Sequence, residues 1–326
     1  MRVLVTGGAG YIGAHTVLAL SGRGHSVVVV DDLVTGRPER IAGIPLKRLD
    51  LASDTAPSVL EDIMRAQRID AVIHFAARKQ VGESAERPAW YYRENLGGLA
   101  NLLIAMERAQ VRQLVFSSSA AVYGGSSGAV SESEPTAAIS PYGETKLAGE
   151  WLVTAACRAW GLGAASLRYF NVAGAGRPEL GDTAILNLVP IVLERLDAGE
   201  APIIFGSDYE TPDGTCIRDY VHVVDVAEAH LAALETIESA GPINRVFNVG
   251  RGEGTSVLEM IAAIGRVSGN SLAPTIADRR PGDPAFVVAR VEAIRAATGW
   301  RARLGLDEIV RSAWESHLYF AGRPMT

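Results

Sequence analysis

The chain has 326 residues, 48% of them hydrophobic and 21% charged. That is enough to bury one large or two ordinary cores, and it excludes disorder over most of the length. A net charge of −6, from 31 Lys and Arg against 37 Asp and Glu, argues against a nucleic-acid protein working through a general basic surface.

Two cysteines, Cys157 and Cys216, build no disulfide framework and fit a reducing compartment. No run approaches the ~18 apolar residues of a membrane span. The opening residues Met1–Gly7 read as neither signal peptide nor anchor, so a soluble, cytoplasmic protein without a membrane partner is expected.

In chain order, residues 2–5 read as a strand, 11–22 as a helix and 26–30 as a second strand. A helical stretch follows near 56–67, then strand 71–75, a helical stretch near 88–109, and strand 114–117. Strands apolar on both faces imply a parallel sheet covered on both sides. The alternation implies a doubly wound α/β domain. The second half is less regular, with helices expected at 225–239 and 256–268 and a strand at 246–249. Gly and Pro cluster near 174–182, 206–214 and 281–284. Nothing reads as a flexible linker, so a second domain should pack closely on the first.

Strand 2–5 runs into Thr6-Gly7-Gly8-Ala9-Gly10-Tyr11-Ile12-Gly13, and a helix follows. Glycines at this spacing permit a tight turn, close backbone approach to a pyrophosphate and close helix–strand packing. The helix N-terminus offers free N–H groups to the phosphates. Asp31, at the end of the second strand, stands where an acidic group accepts hydrogen bonds from adenosine ribose hydroxyls. A 2′-phosphate there would meet Asp31 and Asp32, which favours NAD over NADP.

Further on, Tyr142 and Lys146 share one face of a helix opening behind Ser140-Pro141. A phenol near pKa ~10 is a poor base at neutral pH. A neighbouring ammonium and a positively charged nicotinamide ring both favour the phenolate. A shift of about three units takes roughly 4 kcal/mol. A Tyr/Lys pair alone is more often a surface pair; this one gains meaning from Ser117-Ser118-Ser119 at the end of a predicted strand, where a parallel sheet lines its ligand crevice.

These residues resemble the extended short-chain dehydrogenase/reductase superfamily and, more narrowly, the UDP-glucose 4-epimerase family, over nearly the full length. The most specific segments are 3–13, His74-Phe75-Ala76-Ala77 with Lys79, 116–124, Ser140–Gly143, 168–174, 208–222 and Arg279-Arg280-Pro281-Gly282-Asp283. The resemblance implies a Rossmann domain with a smaller mixed α/β substrate-binding domain. The expected division is 1–171 plus about 219–250 for NAD, and about 172–218 plus 251–326 for a UDP-sugar.

It further implies Tyr142 as catalytic base, Lys146 as its partner and Ser119 as the hydroxyl that positions the sugar. Cofactor contacts implied are Gly7, Gly10, Tyr11, Ile12, Gly13, Asp31, Asp32, Thr35, Gly36, Asp50, Leu51, Phe75, Ala76, Ala77, Lys79, Asn95, Lys146 and Phe170. The implied UDP-sugar pocket comprises Ser119, Tyr142, Asn171, Asn187, Leu188, Phe205, Arg218, Arg280, Asp283 and Val287. The two arginines also suit a diphosphate, which invites guanidinium forks. No metal is implied.

The resemblance implies a homodimer pairing the 88–109 and 142–160 helices. Two departures stand out: Ala121 where the family sometimes carries a second hydroxyl, and Arg290 where an acidic residue is common. The activity implied is interconversion of UDP-galactose and UDP-glucose at C4 through a 4-keto sugar. Epimerisation of UDP-N-acetylgalactosamine or a UDP-pentose is the first alternative. A 4,6-dehydratase needs an acid/base pair where Ala120 and Ala121 stand, and a non-catalytic NAD sensor would not need Tyr142 and Lys146.

Overall fold

Val- and Ile-rich runs such as Arg2–Thr6, Ser26–Asp31 and Ala71–His74 form the central strands. The computed structural model describes residues 1–125, 128–270, 273–280 and 282–324; Pro281 lies outside them. The described strands are β1 (Arg2–Thr6), β2 (Ser26–Asp31), β3 (Leu46–Arg48), β4 (Ala71–His74), β5 (Gln113–Ser119), β6 (Gly128–Val130), β7 (Gly163–Tyr169), β8 (Asn171–Ala173), β9 (Ile203–Phe205), β10 (Ile217–His222), β11 (Asn244–Val249), β12 (Gly254–Ser256), β13 (Thr275–Ala277) and β14 (Phe286–Ala289).

Seven of them make one sheet in the order β11-β7-β5-β4-β1-β2-β3, parallel throughout. Side chains alternate between its faces. Val3, Val5, Ile73 and Val115 join one core with the Tyr11–Gly22 and Val223–Ala240 helices. Leu4, Val72, Leu114 and Phe116 join the other with the helices Ala56–Gln67, Gly98–Ala109 and Pro141–Trp160. This is the doubly wound arrangement expected from strands apolar on both faces. The chain reverses its direction across the sheet between β1 and β4, which opens a crevice at their carboxyl ends.

The helix expected near 88–109 is interrupted. Pro88–Tyr91 and Gly98–Ala109 are α-helical, but Tyr92–Gly97 between them is a π-helical turn. Such widened turns insert one residue into a helix and often occur at functional sites.

The smaller unit is built on β12-β10-β14-β6, with β8 also paired to β10. β10 spans it: Ile217 and Arg218 pair with β14, whereas Tyr220 to His222 pair with β8. Residues 128–130, expected within the first domain, leave the large sheet to pair with β14. The helices Leu188–Asp197, Val257–Ser268 and Leu306–Phe320 bury Val192, Leu193, Met260, Ile264, Ile309 and Val310 against one another. Ser256 starts the second of these with a reciprocal capping box to Glu259. Ile294 and Trp300, by contrast, join the large-sheet core, and Trp300 donates its indole N–H to the Asp225 carbonyl at 3.0 Å.

Candidate active site

The cleft lies at the carboxyl ends of β1, β2 and β4. Gly7 adopts φ +71°, and a Cβ there would sit 2.6 Å from the Ala76 nitrogen. A Cβ on Gly13 would sit 2.2 Å from the Gly7 carbonyl oxygen. Both positions therefore require glycine, and the turn holds the start of the Tyr11–Gly22 helix open to the cleft. Asp31 is 6% exposed. Its carboxylate accepts the Ala9 N–H at 3.0 Å and the Leu33 N–H at 2.9 Å, leaving each oxygen a lone pair for a ribose hydroxyl. Burial raises its pKa, and the two amides pull it back. Glycine loop, helix N-terminus and recessed carboxylate together fit a dinucleotide.

Most of the expected cofactor residues line one cavity: Gly7, Gly10, Tyr11, Ile12, Gly13, Asp31, Asp32, Thr35, Asp50, Leu51, Phe75, Ala76, Ala77 and Lys79, with Tyr142 and Lys146 at the same cavity. Gly36, Asn95 and Phe170 are not among its lining residues. Gly36 sits under the Asp31 carboxylate, with no room for a Cβ. Phe170 packs in a core with Val122, Tyr123 and Leu147. Asn95 hydrogen-bonds Arg78 and Thr145 instead. Arg78, Glu94 and Tyr169 also line the cavity. Arg78 falls within the stretch 75–79 that the resemblance implies as cofactor contacts, whereas Glu94 and Tyr169 were not singled out from the sequence.

Ser140 caps the Pro141–Trp160 helix, accepting the Gly143 N–H at 3.2 Å, and Pro141 occupies its first turn. One turn separates Tyr142 from Lys146. Lys146 Nζ donates to the Ser117 carbonyl at 2.8 Å and lies 6.0 Å from the Tyr142 ring centroid. Burial lowers the Lys146 pKa to about 8. Burial also raises Tyr142, while a hydrogen bond from Ser119 lowers it. The expected depression of the phenol by Lys146 is therefore not present in the protein alone. The ammonium is directed at a carbonyl, and desolvation dominates. Ser119 Oγ accepts the Ala121 N–H at 3.2 Å, so its own hydrogen is free for Tyr142. Ala121 thus acts through its backbone. Arg290 is exposed, with Nε 3.4 Å from the Ala129 carbonyl.

The three serines have different partners. Ser118 donates to Glu150, whose carboxylate forms a buried pair with Arg168 at 2.6 Å. Arg168 also donates to Tyr123 at 2.9 Å. Ser117 meets His230 Nε2 at 3.1 Å, while His230 Nδ1 reaches the Val226 carbonyl at 2.8 Å. A carbonyl only accepts, so Nδ1 carries the proton and Ser117 donates to Nε2. Tyr169 hydrogen-bonds Ser117 in turn and is pushed upward mainly by burial.

The expected sugar-end residues form smaller groups. Arg218 pairs with Asp283, and its register neighbour on β14 is Val287. The Arg280 guanidinium stacks 3.9 Å from the Phe205 ring centroid. Asn187 precedes the Leu188–Asp197 helix and donates to Asp182 at 3.1 Å. Asn171 starts β8 beside Tyr220. Val287 is half-buried against the core that contains Tyr123 and Phe170. A second cavity beyond Tyr11, walled by Val172, Val189, Leu193 and Phe320, includes none of the expected sugar residues.

A glycine-floored cleft that ends at a buried Tyr/Lys pair with an adjacent serine defines a nucleotide-dependent enzyme acting at a hydroxyl-bearing carbon. The chain belongs to the NAD dependent epimerase/dehydratase family, whose model matches residues 3–250. It is 46% identical to the UDP-glucose 4-epimerase of Azospirillum brasilense, over 97% of this chain and 92% of that one. Identity to the UDP-glucose 4-epimerase of Halalkalibacterium halodurans is 43%, over 97% and 96%. The fold matches a UDP-glucose-4-epimerase from Stenotrophomonas maltophila, solved with bound NAD and formylated UDP-arabinopyranose. That match has a TM-score of 0.94 and 38% identity, and covers 99% of both chains.

Proposed function

We infer that this chain is an NAD-dependent isomerase that interconverts UDP-galactose and UDP-glucose by inverting C4 through a 4-keto sugar. The observation that carries the reading is the Ser119–Tyr142–Lys146 arrangement at the buried end of the dinucleotide cleft. Tyr142 takes the proton of the sugar 4-hydroxyl, and Ser119 holds that hydroxyl against it. Lys146, one helical turn on, favours the phenolate once Tyr142 ionises. The chemistry NAD supplies when bound is acceptance of the C4 hydride and its return to the opposite face. Arg218 with Asp283, and Arg280 on Phe205, hold the UDP end while the keto sugar turns over. Asn171, Asn187 and Leu188 complete that wall.

In the expected division, residues 1–171 plus about 219–250 carry NAD and about 172–218 plus 251–326 carry the UDP-sugar. β6 and the 292–302 segment cross between the two. Trp151, Ile104 and Tyr92 are exposed on neighbouring helices, which supports a homodimer through that face. No helix among the described residues is long and apolar enough to cross a membrane. Both cysteines are unpaired, which favours a reducing, cytoplasmic location.

The test is to incubate the purified protein with UDP-galactose and no added NAD, and to assay UDP-glucose. Turnover without added cofactor is expected, together with NAD in the denatured supernatant. Finding NADP there, or a strict need for added NADP, overturns the cofactor reading. A second reading widens the sugar range. The Stenotrophomonas relative was solved with a formylated UDP-arabinopyranose, and Val287, the register neighbour of Arg218, is a small side chain, which supports a wider range.

A further inference from the structure

Arg78 joins two walls of the cofactor cleft. Its Nη2 lies 2.6 Å from Asp32 Oδ2 and 2.9 Å from Glu94 Oε2, and its Nε is 3.2 Å from the same Glu94 oxygen. Asp32 follows β2, whereas Glu94 lies in the π-helical turn. All three residues line the cavity. The Arg78 side chain is 17% exposed and that of Glu94 6%, so the pair is largely withdrawn from water.

The backbone of Arg78 is held as firmly as its side chain. Asn95 Oδ1 accepts the Arg78 N–H at 2.7 Å, and Asn95 Nδ2 donates to the Arg78 carbonyl at 3.0 Å. The same amide group reaches Thr145 at 3.0 Å, between Tyr142 and Lys146. Glu94 and Asn95 are consecutive, yet both grip Arg78. In a regular α-helix neighbours point about 100° apart; the widened π turn brings them onto one target. The sequence reading had Asp32 repelling a 2′-phosphate, but its charge is matched here by Arg78.

We propose that Arg78 is a cofactor-retaining residue: the Asp32–Arg78–Glu94 bridge straps the cleft shut over the dinucleotide and sets how slowly it leaves. The proposal rests on the NAD reading above. Release requires the loop after β2 to part from the π turn, which breaks a guanidinium shared by two carboxylates. A lysine, with a point charge in place of a fork, replaces it only in part.

The experiment follows exchange of the bound cofactor in the holoenzyme for radiolabelled NAD from solution, separated by gel filtration at timed intervals. Arg78→Met is expected to exchange about 10–100-fold faster than wild type, with Arg78→Lys in between. Glu94→Gln, which keeps the shape of the turn, should move in the same direction and covers the case in which Arg78→Met does not fold. Exchange within about twofold of wild type in folded Arg78→Met or Glu94→Gln overturns the proposal. A wild type that purifies with no dinucleotide and exchanges none overturns the cofactor reading itself, a separate result.

Discussion

The two ends of the active-site cleft are built differently. The dinucleotide end is made of backbone and buried groups: Gly7 and Gly13 without room for a Cβ, Asp31 held by two amides, and Lys146 directed at a carbonyl. The proposed sugar end is made of side chains on separate segments: Phe205, Arg218, Arg280, Asp283 and Val287. Disturbing the first end should alter stability and cofactor retention. Disturbing the second should alter substrate preference and leave the fold intact. The difference suits a protein that keeps its cofactor through every turnover but releases its sugar.

The junction between the ends gives the largest effect. Tyr142→Phe removes one hydroxyl and is expected to lower kcat by ~10²–10⁴-fold, with unchanged NAD content and unfolding temperature. Retention of more than about a tenth of wild-type kcat would remove Tyr142 from the role of base.

The buried end should respond to pH. Lys146 has a folded pKa of about 8, against ~10.4 in an unfolded chain. Below pH 8 both states carry the proton, and the folded state bears the cost of a buried charge. Between the two values the unfolded chain binds more protons, so stability rises with pH. Lys146→Met should therefore stabilise the dinucleotide-stripped protein at pH 7 by about 1–3 kcal/mol, an advantage that fades towards pH 10. Urea midpoints at several pH values measure this, and a pH-independent difference would contradict it.

The sugar end should give the smallest change. Val287→Tyr is expected to lower kcat/KM for UDP-N-acetylgalactosamine relative to UDP-galactose by roughly tenfold, within the ~1–3 kcal/mol that pocket shape supplies. The unfolding temperature should hold. If both sugars lose activity equally, or wild type ignores the N-acetyl sugar, Val287 is not a size gate.

Legibility in the sequence follows the same divide. The helices Tyr11–Gly22 and Ala56–Gln67 match their expected bounds, because glycines and proline mark their ends locally. The place of the turn glycines and of Asp31 in the cleft was readable because a βαβ unit fixes their spacing. The short strands β6, β9, β13 and β14 were not expected. Each has three or four residues, too few for periodicity, and pairs with a distant segment. The π turn was hidden for another reason: the run Tyr92–Gly97 has no proline and no sequence mark that separates a widened turn from an α-helical one, and the widening is visible only through what Glu94 and Asn95 grip. The Tyr142/Lys146 pairing was readable because neighbours along a helix are, whereas the direction of the Lys146 ammonium was not, because it depends on β5.

The pairing of β6 with β14 has a consequence for synthesis. Gly128 lies against Val287, about 160 residues later in the chain. On a ribosome adding ~5–20 residues per second, the earlier strand waits roughly 8–32 s for its partner. The strands β1, β2 and β4 that floor the dinucleotide cleft, by contrast, pair with one another within the first 120 residues to emerge. A nascent chain can therefore own a cofactor cleft well before it owns a sugar pocket, with the β6 edge uncovered in the interval.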